Sequence, residues 1–446
     1  MNIRHALGLL ALAICAASTQ AADAPLNRRI DALVEQDEQR LINVFKTLHQ
    51  NPELAFQEHQ TAAQVTKELQ ALGYEVKSGV GKSGVVGILR NGAGPVVMYR
   101  ADMDALPIKE TTDLPYRSEK VTAWLGNPEQ PVMHACGHDA HVTWLLAVAK
   151  IMQQLKEQWS GTLVLVAQPA EEIGLGAAAM VKDGLYDFAP RPDVLLGAHV
   201  FPVYPAGSVA VREGRRMAGA DQVDVHLPGI GGHGSTPHVA KDPVVMGAMA
   251  VMGYQTVVSR MTDQAEPAVL TVGAFQAGTA NNIIPADATL KLNLRWYDEK
   301  VRQRMLAGIE SVTDGVLRMN DMPAERKASI EVTSTVTPLV NDPASTRVAH
   351  AALVAQLGEK KVLNGLPPVM GSEDVQMLVS PYPDTKVVFL EIGGGKPDAY
   401  INLVEKNQWP VLNHNPGFVV ELGAIPTGVR AVTASLIAFF KPREGA

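Results

Sequence analysis

The chain has 446 residues, of which 46% are hydrophobic and 19% are charged, so it is long enough to bury a large core. Usual domain sizes favour two domains over one or four. The formal net charge of -7, without a run of Lys or Arg, argues against a nucleic acid or an anionic membrane as a partner and favours small solutes.

The first 21 residues have the composition of an export signal. Arg4 gives a positive start, residues 6–17 form an apolar stretch, and small residues at its end offer cleavage positions. The stretch is too short to span a bilayer stably, and no other stretch approaches membrane-spanning length. A lipid on Cys15 is the alternative, but Ile14 stands where a small residue would be expected. We therefore predict export to the periplasm or secretion, with removal of residues 1–21.

The following part of the chain alternates helical and strand-like segments. Apolar residues recur at helical spacing over residues 41–72, and Gly73 suits a helix stop. A second helix is predicted over residues 142–155. Short apolar runs typical of buried strands stand at residues 96–99, 162–167, 194–197 and 387–390. This pattern predicts an α/β catalytic domain, formed by residues 25–217 and 331–446, with a mainly parallel sheet covered by helices.

Residues 218–330 have a different pattern. Strand-like alternation at 223–227, 268–275, 290–296 and 329–334 is interleaved with helical segments at 243–261 and 299–319. The resulting order, β-α-β-β-α-β, is the split pattern of a ferredoxin-like domain. We therefore predict that residues 218–330 form an inserted α+β domain.

The segment HACGHDAH, residues 134–141, places one thiol and three imidazoles before an apolar helix. Cys136 is the only cysteine outside the predicted export signal. A buried cysteine by itself is usually a small hydrophobe. Here, however, the spacing of two between Cys136 and His138 allows both side chains to contact one ion, and thiolate and imidazole are typical ligands of Zn²⁺ and similar metals. The segment therefore predicts a metal site.

Carboxylates and another histidine follow the predicted strands. Asp102 and Asp104 follow the first strand, Glu171 and Glu172 follow the second, and His199 follows the third. Ligands in open α/β sheets gather beyond the carboxyl ends of the strands, so these side chains are expected at one edge of the sheet. At a turn, one of the two adjacent glutamates can bind a metal while the other accepts a proton from an attacking water.

Two other segments contain candidate histidines. The loop GGHGSTPH, residues 231–238, lies in the inserted domain, and its glycines would let His233 approach a substrate closely. It lacks the Lys and the strand-turn-helix context of a phosphate-binding loop. A surface loop with incidental histidines is the alternative. The turn-rich segment NHNPG near the end of the chain contains His414.

Eight motifs occur in the order typical of the M20 metallopeptidase family. They are RADMDALP (100–107), HACGHDAH (134–141), QPAEE (168–172), GAH (197–199), GGHGSTPH (231–238), ANNIIP (280–285), GSED (371–374) and HNP (414–416). Together they resemble the amidohydrolase branch of that family, which includes hippurate hydrolases, bacterial N-acyl-amino-acid amidohydrolases and plant auxin-conjugate hydrolases. The resemblance extends over residues 41–440.

The resemblance implies a catalytic domain with two divalent metal ions and a smaller lid domain that commonly mediates dimerisation. The ions would be Zn, Mn, Co or Ni, because all four suit mixed nitrogen, oxygen and sulfur ligands. The implied metal ligands are Cys136, His138, Glu172, His199 and His414.

The resemblance also implies roles for residues around the metals. Glu171 is the implied general base, and Asp104 matches an aspartate that orients a metal-ligating group. His233 resembles a lid histidine that approaches the substrate carbonyl. Asn282 and Arg295 are candidates for gripping the substrate.

Three features depart from typical relatives. The segments 124–130 and 396–410 are longer than expected, and Val375 stands where an aromatic residue is common. These differences would reshape the pocket for the acyl group. The identity of the substrate therefore stays open.

The leading prediction is an exported, metal-dependent amidohydrolase that cleaves the amide between an acyl group and an amino acid. A dipeptidase or carboxypeptidase of the same family is one alternative, and a non-catalytic metal-binding protein is another. The expected partners are a small N-acyl amino acid or peptide and a second copy of the chain, bound through the lid domain. No nucleic acid is expected.

Overall fold

A computed structural model describes residues 3–443, with side chains from residue 25 onward. The predicted export signal, residues 1–21, lies outside the fully described residues and stays a prediction. In the described part of the chain, no helix is both long enough and apolar enough to cross a membrane. The chain divides into a large domain, made of the residues up to Gly214, Val340–Leu366 and the residues from Val375, and a small domain, Arg215–Leu339 with Pro367–Asp374.

The elements are named here in chain order. The first part of the chain forms α1 (Ile3–Gln50), α2 (His59–Ala71), β1 (Glu75–Val80), β2 (Gly84–Asn91), β3 (Val96–Asp102), β4 (Val121–Trp124), β5 (Asn127–Pro131), α3 (His138–Gln154), β6 (Trp159–Gln168), α4 (Gly176–Lys182), α5 (Leu185–Phe188), β7 (Val194–Pro205), β8 (Val209–Ala210) and β9 (Gly214–Met217). The middle part forms β10 (Gly219–Pro228), β11 (Gly232–His233), α6 (Pro243–Thr256), β12 (Ala268–Gln276), β13 (Ile283–Ile284), β14 (Asp287–Trp296), α7 (Glu299–Met319) and β15 (Ser329–Val336). The last part forms β16 (Leu339–Asn341), α8 (Pro343–Leu357), β17 (Val362–Leu363), β18 (Lys386–Gly395), α9 (Ala399–Lys406), α10 (Ala424–Phe439) and β19 (Lys441–Pro442).

The helix predicted over residues 41–72 is wrong as a single element, because the structure has two helices there. α1 ends at Gln50, and α2 begins at His59. Pro52 lacks a backbone N–H and disfavours helical backbone at the residue before it, which stops the first helix. The carboxylate of Glu53 then accepts backbone hydrogen bonds from Gln60 and Thr61 at the start of α2.

The large domain is built on the predicted mainly parallel sheet. The strand order is β1-β2-β6-β3-β7-β18-β8-β17, and the four central strands β6, β3, β7 and β18 are parallel to one another. The four apolar runs predicted as strands lie within these four central strands. In the register, Met98 of β3 pairs with Val164 of β6 and with Leu195 of β7. The four runs are apolar without interruption because helices cover the central strands on both faces of the sheet.

Helices α3 and α10 pack closely against each other within the large domain. The segment predicted as a helix at 142–155 lies in α3, which begins earlier, at His138. A Cβ atom on Gly428 of α10 would lie only 2.2 Å from the ring of Trp144 on α3, so only glycine permits this approach. Trp144 is fully buried, and the contact fixes α3, the helix that starts in the histidine-rich segment.

The small domain has the predicted β-α-β-β-α-β order. Its antiparallel sheet has the strand order β12-β14-β10-β15, and α6 and α7 pack on it. Val223 of β10 pairs with Leu292 of β14 and with Val332 of β15. This topology is that of a ferredoxin-like domain.

The extent of the small domain differs from the predicted range, residues 218–330. Residue 330 falls inside β15, which ends at Val336. The small domain therefore continues past residue 330, to Leu339. Pro367–Asp374, far along the chain, also belongs to this unit. Sequence periodicity could not show that Pro367–Asp374 belongs to the small domain, because a short irregular segment has no repeating apolar face.

Candidate metal and catalytic site

Candidate residues on two neighbouring parallel strands of the large domain lie at the level where β3 ends. Asp102 is the last residue of β3 and pairs with Gln168, the last residue of β6. His199 lies within β7, the other neighbour of β3, which continues to Pro205, and the pairing of Arg100 with Gly197 places His199 level with Asp102. Parallel strands end at the same edge of a sheet, so side chains from three segments distant in sequence meet there.

The turn before α3 brings Cys136 and His138 to this edge. Gly137 has a φ of 90°, in the left-handed region, and a Cβ atom there would lie 2.3 Å from the side chain of Val200. Glycine is therefore required both for the turn and for the close approach to β7. The Sγ atom of the buried Cys136 lies 3.4 Å from Nε2 of His199.

His138 lies in a group of carboxylates and is fully buried. Its Nε2 atom is 3.5 Å from Asp102, 3.9 Å from Glu171 and 3.8 Å from Glu172. Neither ring nitrogen has a hydrogen-bond partner, and neither does Oε1 of Glu172. Burial lowers the pKa of His138, but the nearby carboxylates, Asp102 foremost, outweigh burial and raise it to about 10. Buried nitrogen and oxygen atoms without hydrogen-bond partners, among several negative charges, fit a site for a cation, which would bind the imidazole lone pair in place of its second proton.

Asp102 is held by two neighbours that leave it ionised. Nη1 of Arg100 donates to it at 2.6 Å, and the Nδ1 atom of His141 lies 2.5 Å from its other oxygen. Burial raises the pKa of Asp102, but the charge of Arg100 and the two nearby histidines outweigh burial and hold it well below its usual value.

The hydrogen bonds of two histidines define their tautomers. The backbone N–H of Val200 donates to Nε2 of His141, so His141 carries its proton on Nδ1 and donates it to Asp102. His199 donates from Nδ1 to the carbonyl of Val200, which leaves the Nε2 lone pair directed towards Cys136. Burial lowers the pKa of both histidines, so both are neutral. His199 therefore has a free nitrogen for a metal, whereas both nitrogens of His141 are in use.

The adjacent Glu171 and Glu172 follow β6 in a turn that Asp104 holds in place. One oxygen of Asp104 accepts the backbone N–H of Glu171 at 3.0 Å, and the other accepts that of Glu172 at 3.1 Å. Ala170, just before them, has a φ of 50°. This turn lets the two neighbouring side chains approach the same imidazole, which an extended backbone would prevent.

Glu58 supports the same turn and was not predicted from the sequence. Its Oε1 atom accepts the backbone N–H of Ala170 at 2.9 Å, and Oε2 accepts the hydroxyl of Ser83 at 2.5 Å. Burial and then the charge of Asp104 raise the pKa of Glu58 to about 7. The sequence signal for this role was Pro52. Because Pro52 ends α1, Glu58 lies in the connection before α2 and not on a continuous helix.

The segment that contains His414 is fixed to the cysteine turn. The backbone N–H of His414 donates to Ala135 at 2.8 Å, and the amide of Asn413 donates to the carbonyl of Cys136 at 3.0 Å. His414 has a φ of 66°, and its Nε2 atom lies 3.2 Å from Glu172. A residue near the end of the chain thereby joins the group around α3.

The structure therefore brings together all five residues predicted to bind metal, together with Glu171. Their potential ligand atoms fall into overlapping groups, within each of which all the atoms lie within 4.8 Å of one another: Asp102, His138, His141 and His199; Cys136, Glu172 and His414; His138, Glu171 and Glu172. The mixture of thiol, imidazole and carboxylate suits Zn²⁺ and related first-row ions.

A second buried cluster adjoins the first. His49 of α1 lies between Asp139, at 2.7 Å, and Glu110, at 3.2 Å. Burial lowers the pKa of His49, but these two carboxylates outweigh burial and raise it to about 9. His134, by contrast, is kept neutral because burial lowers its pKa to about 4. The His49 cluster stabilises the first turn of α3, beside His138.

In the small domain, the structure brings His233 close to Asn282. Strand β11 pairs with β13, and the backbone N–H of Gly234 donates to the carbonyl of Asn282 at 2.8 Å. The backbone N–H of Ser235 donates to Nδ1 of His233, which places the ring proton on Nε2 of this exposed side chain. His233 can therefore donate a hydrogen bond outward.

Arg295 lies elsewhere in the small domain. It stands near the carboxyl end of β14, about 27 Å along the strand from Asp287, whereas the segment with Asn282 precedes that strand. Its Nε donates to Asn293 at 2.7 Å, and burial lowers its pKa. The two candidates for gripping the substrate thus lie towards opposite ends of one strand.

Comparisons with known proteins agree with this geometry. Residues 98–407 match the model of peptidase family M20/M25/M40. The chain is 40% identical over 330 residues to a hippurate hydrolase of Campylobacter jejuni, covering 73% of this chain and 82% of the relative. It is 32% identical over 404 residues to an IAA-amino acid hydrolase of Arabidopsis thaliana, covering 90% of this chain and 86% of the relative.

A solved structure from Bacillus subtilis has a similar fold. It is described as a dinuclear metal binding peptidase from the M20 family, with a TM-score of 0.70 and 26% identity, covering 90% of this chain and 98% of the other. Sequence motifs, fold and site geometry thus agree. The chain belongs to peptidase family M20/M25/M40, in its amidohydrolase branch, and is an enzyme that hydrolyses amide bonds.

Proposed function

We propose that the protein hydrolyses the amide bond of N-acyl amino acids, with Glu171 as the general base. The observation that carries this proposal is the turn at Glu171 and Glu172. Their carboxylates lie 3.9 and 3.8 Å from the same nitrogen of His138, so one can bind a cation while the other serves the attacking water. The hydrolases of hippurate and of IAA-amino acids among the relatives support an acylated amino acid as the substrate.

The five metal-binding residues in this proposal come from four separate segments of the chain. We assign them as Cys136, His138, Glu172, His199 and His414, and the dinuclear relative supports two ions. When bound, the ions supply Lewis acidity, which polarises the substrate carbonyl and makes the attacking water more acidic. Zn, Mn, Co and Ni all suit these ligands.

The remaining steps belong to the side chains. Glu171, whose side chain is 12% exposed, accepts the proton of the water as it attacks the carbonyl carbon and then donates it to the departing amine. Asp104 keeps the turn of Glu171 in position. His233 donates from Nε2 to the oxyanion that develops on the carbonyl oxygen. Asn282 and Arg295 stay candidates for substrate binding, and the guanidinium of Arg295 suits the carboxylate of the amino acid. Because the two lie towards opposite ends of β14, one small substrate would contact only one of them within a subunit.

The test is replacement of the proposed base. Glu171→Gln keeps the size and the hydrogen-bonding shape of the side chain but cannot accept the proton. We expect hydrolysis of hippurate and N-acetyl amino acids to fall by at least about 1,000-fold, within the range typical of general-base catalysis, while metal content measured by elemental analysis stays that of the wild type. Glu359→Gln, at an exposed position after α8 in the same domain, is the matched control and should retain full activity.

The substrate panel also tests the alternatives. Dipeptides are assayed beside N-acyl amino acids. A larger kcat/KM for N-acyl amino acids indicates an amidohydrolase, and a larger kcat/KM for peptides indicates a dipeptidase or carboxypeptidase. Turnover by Glu171→Gln close to that of the wild type would show that Glu171 is not the general base. Bound metal without hydrolysis of any amide on the panel would contradict the proposed substrate class.

We also propose export and dimerisation. The apolar N-terminal stretch supports export and removal of residues 1–21. N-terminal sequencing of the protein purified from its native cells tests this.

In the small domain, α6 exposes Val245 at 51% and Met252 at 71%, which supports a self-association face there. Val245→Glu should reduce the dimer fraction in light scattering.

A further inference from the structure

The segment that precedes His414 exposes an unusual amount of apolar surface. α9 buries Ala399 and Leu403, and the segment then continues through Trp-Pro-Val-Leu at residues 409–412. Trp409 is 60% exposed, Val411 50% and Leu412 39%. Apolar side chains grouped in this way beside a polar site mark a binding surface more often than scattered ones do.

The amino-terminal part of this segment is fixed to the strand that carries His199. The ring of Tyr400 on α9 lies 5.7 Å from that of Tyr204 on β7, and Phe201 lies between Tyr204 and His199, at 6.2 and 5.4 Å from their rings. The hydroxyl of Tyr204 donates to Glu391 of β18 at 2.8 Å. A row of aromatic rings therefore connects α9 to the site.

The carboxyl-terminal part is fixed as well. Asn413 donates to the carbonyl of Cys136 at 3.0 Å, so Leu412 directly precedes a residue bonded to the cysteine turn. A methyl group placed on Gly417 would lie 4.0 Å from Val411, so the chain folds back on itself here. By chain length alone, the Cα atom of Leu412 lies within about 7 Å of that of His414, and Trp409 within about 18 Å.

We propose that Trp409, Val411 and Leu412 form the wall of the acyl subsite and that the enzyme prefers N-acyl amino acids with a large apolar acyl group. The preferred group is an aromatic ring or a chain of about eight or more carbons, rather than acetyl. This inference rests on the proposed function and names its substrate class.

The chemistry of the wall selects the acyl half of the substrate. The four residues 409–412 carry no charge, and the indole N–H is their only hydrogen-bonding side-chain group. Such a surface offers the carboxylate of the amino acid no positive charge and only one hydrogen-bond donor, whereas contact with a hydrocarbon removes apolar area from water and is favourable. Leu412 is two residues from His414, and Asn413 between them is bonded to the cysteine turn, so the wall adjoins the segment of a proposed metal ligand, where the acyl group of a bound substrate could extend from the scissile carbonyl.

The experiment compares N-acetyl, N-benzoyl and N-decanoyl derivatives of one amino acid. Each methylene covered by apolar surface raises kcat/KM by up to about fourfold, so the wild type should favour decanoyl over acetyl by on the order of 30-fold or more. Trp409→Ala and Leu412→Ser should each lower this ratio by at least about fivefold. Val348→Ser, at a 43% exposed valine of α8 in the same domain, is the matched control and should leave the ratio unchanged.

Metal content and thermal unfolding temperature show that each variant is folded and loaded. Two results would overturn the assignment of the acyl subsite while leaving the proposed function intact. One is equal kcat/KM for every N-acyl substrate, and the other is an unchanged decanoyl-to-acetyl ratio of kcat/KM in both variants. A change in oligomeric mass without a change in the ratio would assign the surface to a second copy of the chain and would also overturn it. Failure of the wild type on all N-acyl amino acids would instead overturn the proposed function.

Discussion

The carboxylate of Asp104 accepts the backbone N–H of Glu171 at 3.0 Å and thereby sets the position of the proposed general base. Its second oxygen accepts the next N–H along the chain, that of Glu172. One buried side chain thus determines the direction of both glutamates. The contact joins residues that follow two different strands, β3 and β6.

Asp104→Asn tests this relationship. An asparagine has one accepting oxygen, so its NH₂ group would face one of the two N–H donors, and the turn would shift. We expect kcat for N-acyl amino acids to fall by about 10- to 100-fold, the usual cost of losing an orienting partner at a metal site. Asp113→Asn, an exposed carboxylate in the same domain, should have no effect, and an equally active Asp104 variant would exclude the orienting role.

Glu58 provides a second test of the same turn. In Glu58→Gln, the oxygen still accepts from Ala170 and the NH₂ group can donate to Ser83, so most activity should be retained. Glu58→Ala leaves the N–H of Ala170 unsatisfied, which should reduce kcat about 10-fold and lower the free energy of unfolding by about 1–3 kcal/mol. Steady-state kinetics and denaturant titration measure the two effects, and equal behaviour of the Gln and Ala variants would contradict the hydrogen-bond assignment.

The raised pKa of Glu58 has a consequence for stability. Because burial and Asp104 raise this pKa from 4.5 to about 7, the folded state binds the proton more tightly than the unfolded state does. The resulting stabilisation is fully present below pH 4.5 and is lost as the pH rises through about 7. The unfolding free energy of Glu58→Gln relative to the wild type should therefore increase by up to about 3 kcal/mol between pH 4.5 and 8.

Two histidines that lie side by side should respond differently to substitution. The ring centroids of His141 and His199 are 4.4 Å apart, yet Val200 and Asp102 occupy both nitrogens of His141, whereas Nε2 of His199 faces only Sγ of Cys136, itself a proposed metal ligand. His199→Gln should reduce the number of bound ions, whereas His141→Gln should keep that number with about 10- to 100-fold weaker affinity. Titration of the metal-free protein with Zn²⁺ or Mn²⁺ distinguishes them, and the opposite pattern would exchange the two roles.

The buried cluster around His49 predicts a loss of stability at alkaline pH. Its pKa is raised from 6.5 to about 9, so its stabilising charge is fully present below pH 6.5 and is lost as the pH rises through about 9. The stability advantage of the wild type over His49→Gln should shrink by up to about 3 kcal/mol between pH 6.5 and 10. Urea unfolding of metal-free protein measures it, and a constant difference between the two proteins would show that His49 is neutral in the folded state.

The sequence by itself determined the local elements and the chemical identity of the site. The apolar runs that became β3, β6, β7 and β18, and the alternation that became the small domain, follow from periodicities of a few residues. The carboxylates and His199 follow or lie on three of those strands, whereas the thiol and His138 stand at the start of α3. Their convergence could be predicted because parallel strands place their carboxyl ends at one edge.

Only the tertiary structure decided how these groups are held. The bonds from Ala170 to Glu58 and from His49 to Asp139 join residues 112 and 90 positions apart, and no local pattern encodes them. The same holds for the tautomers of His141 and His199, which depend on which backbone group of Val200 each ring meets. Periodicity records which side of an element faces the core, whereas the partner across that core is fixed only when distant segments pack together.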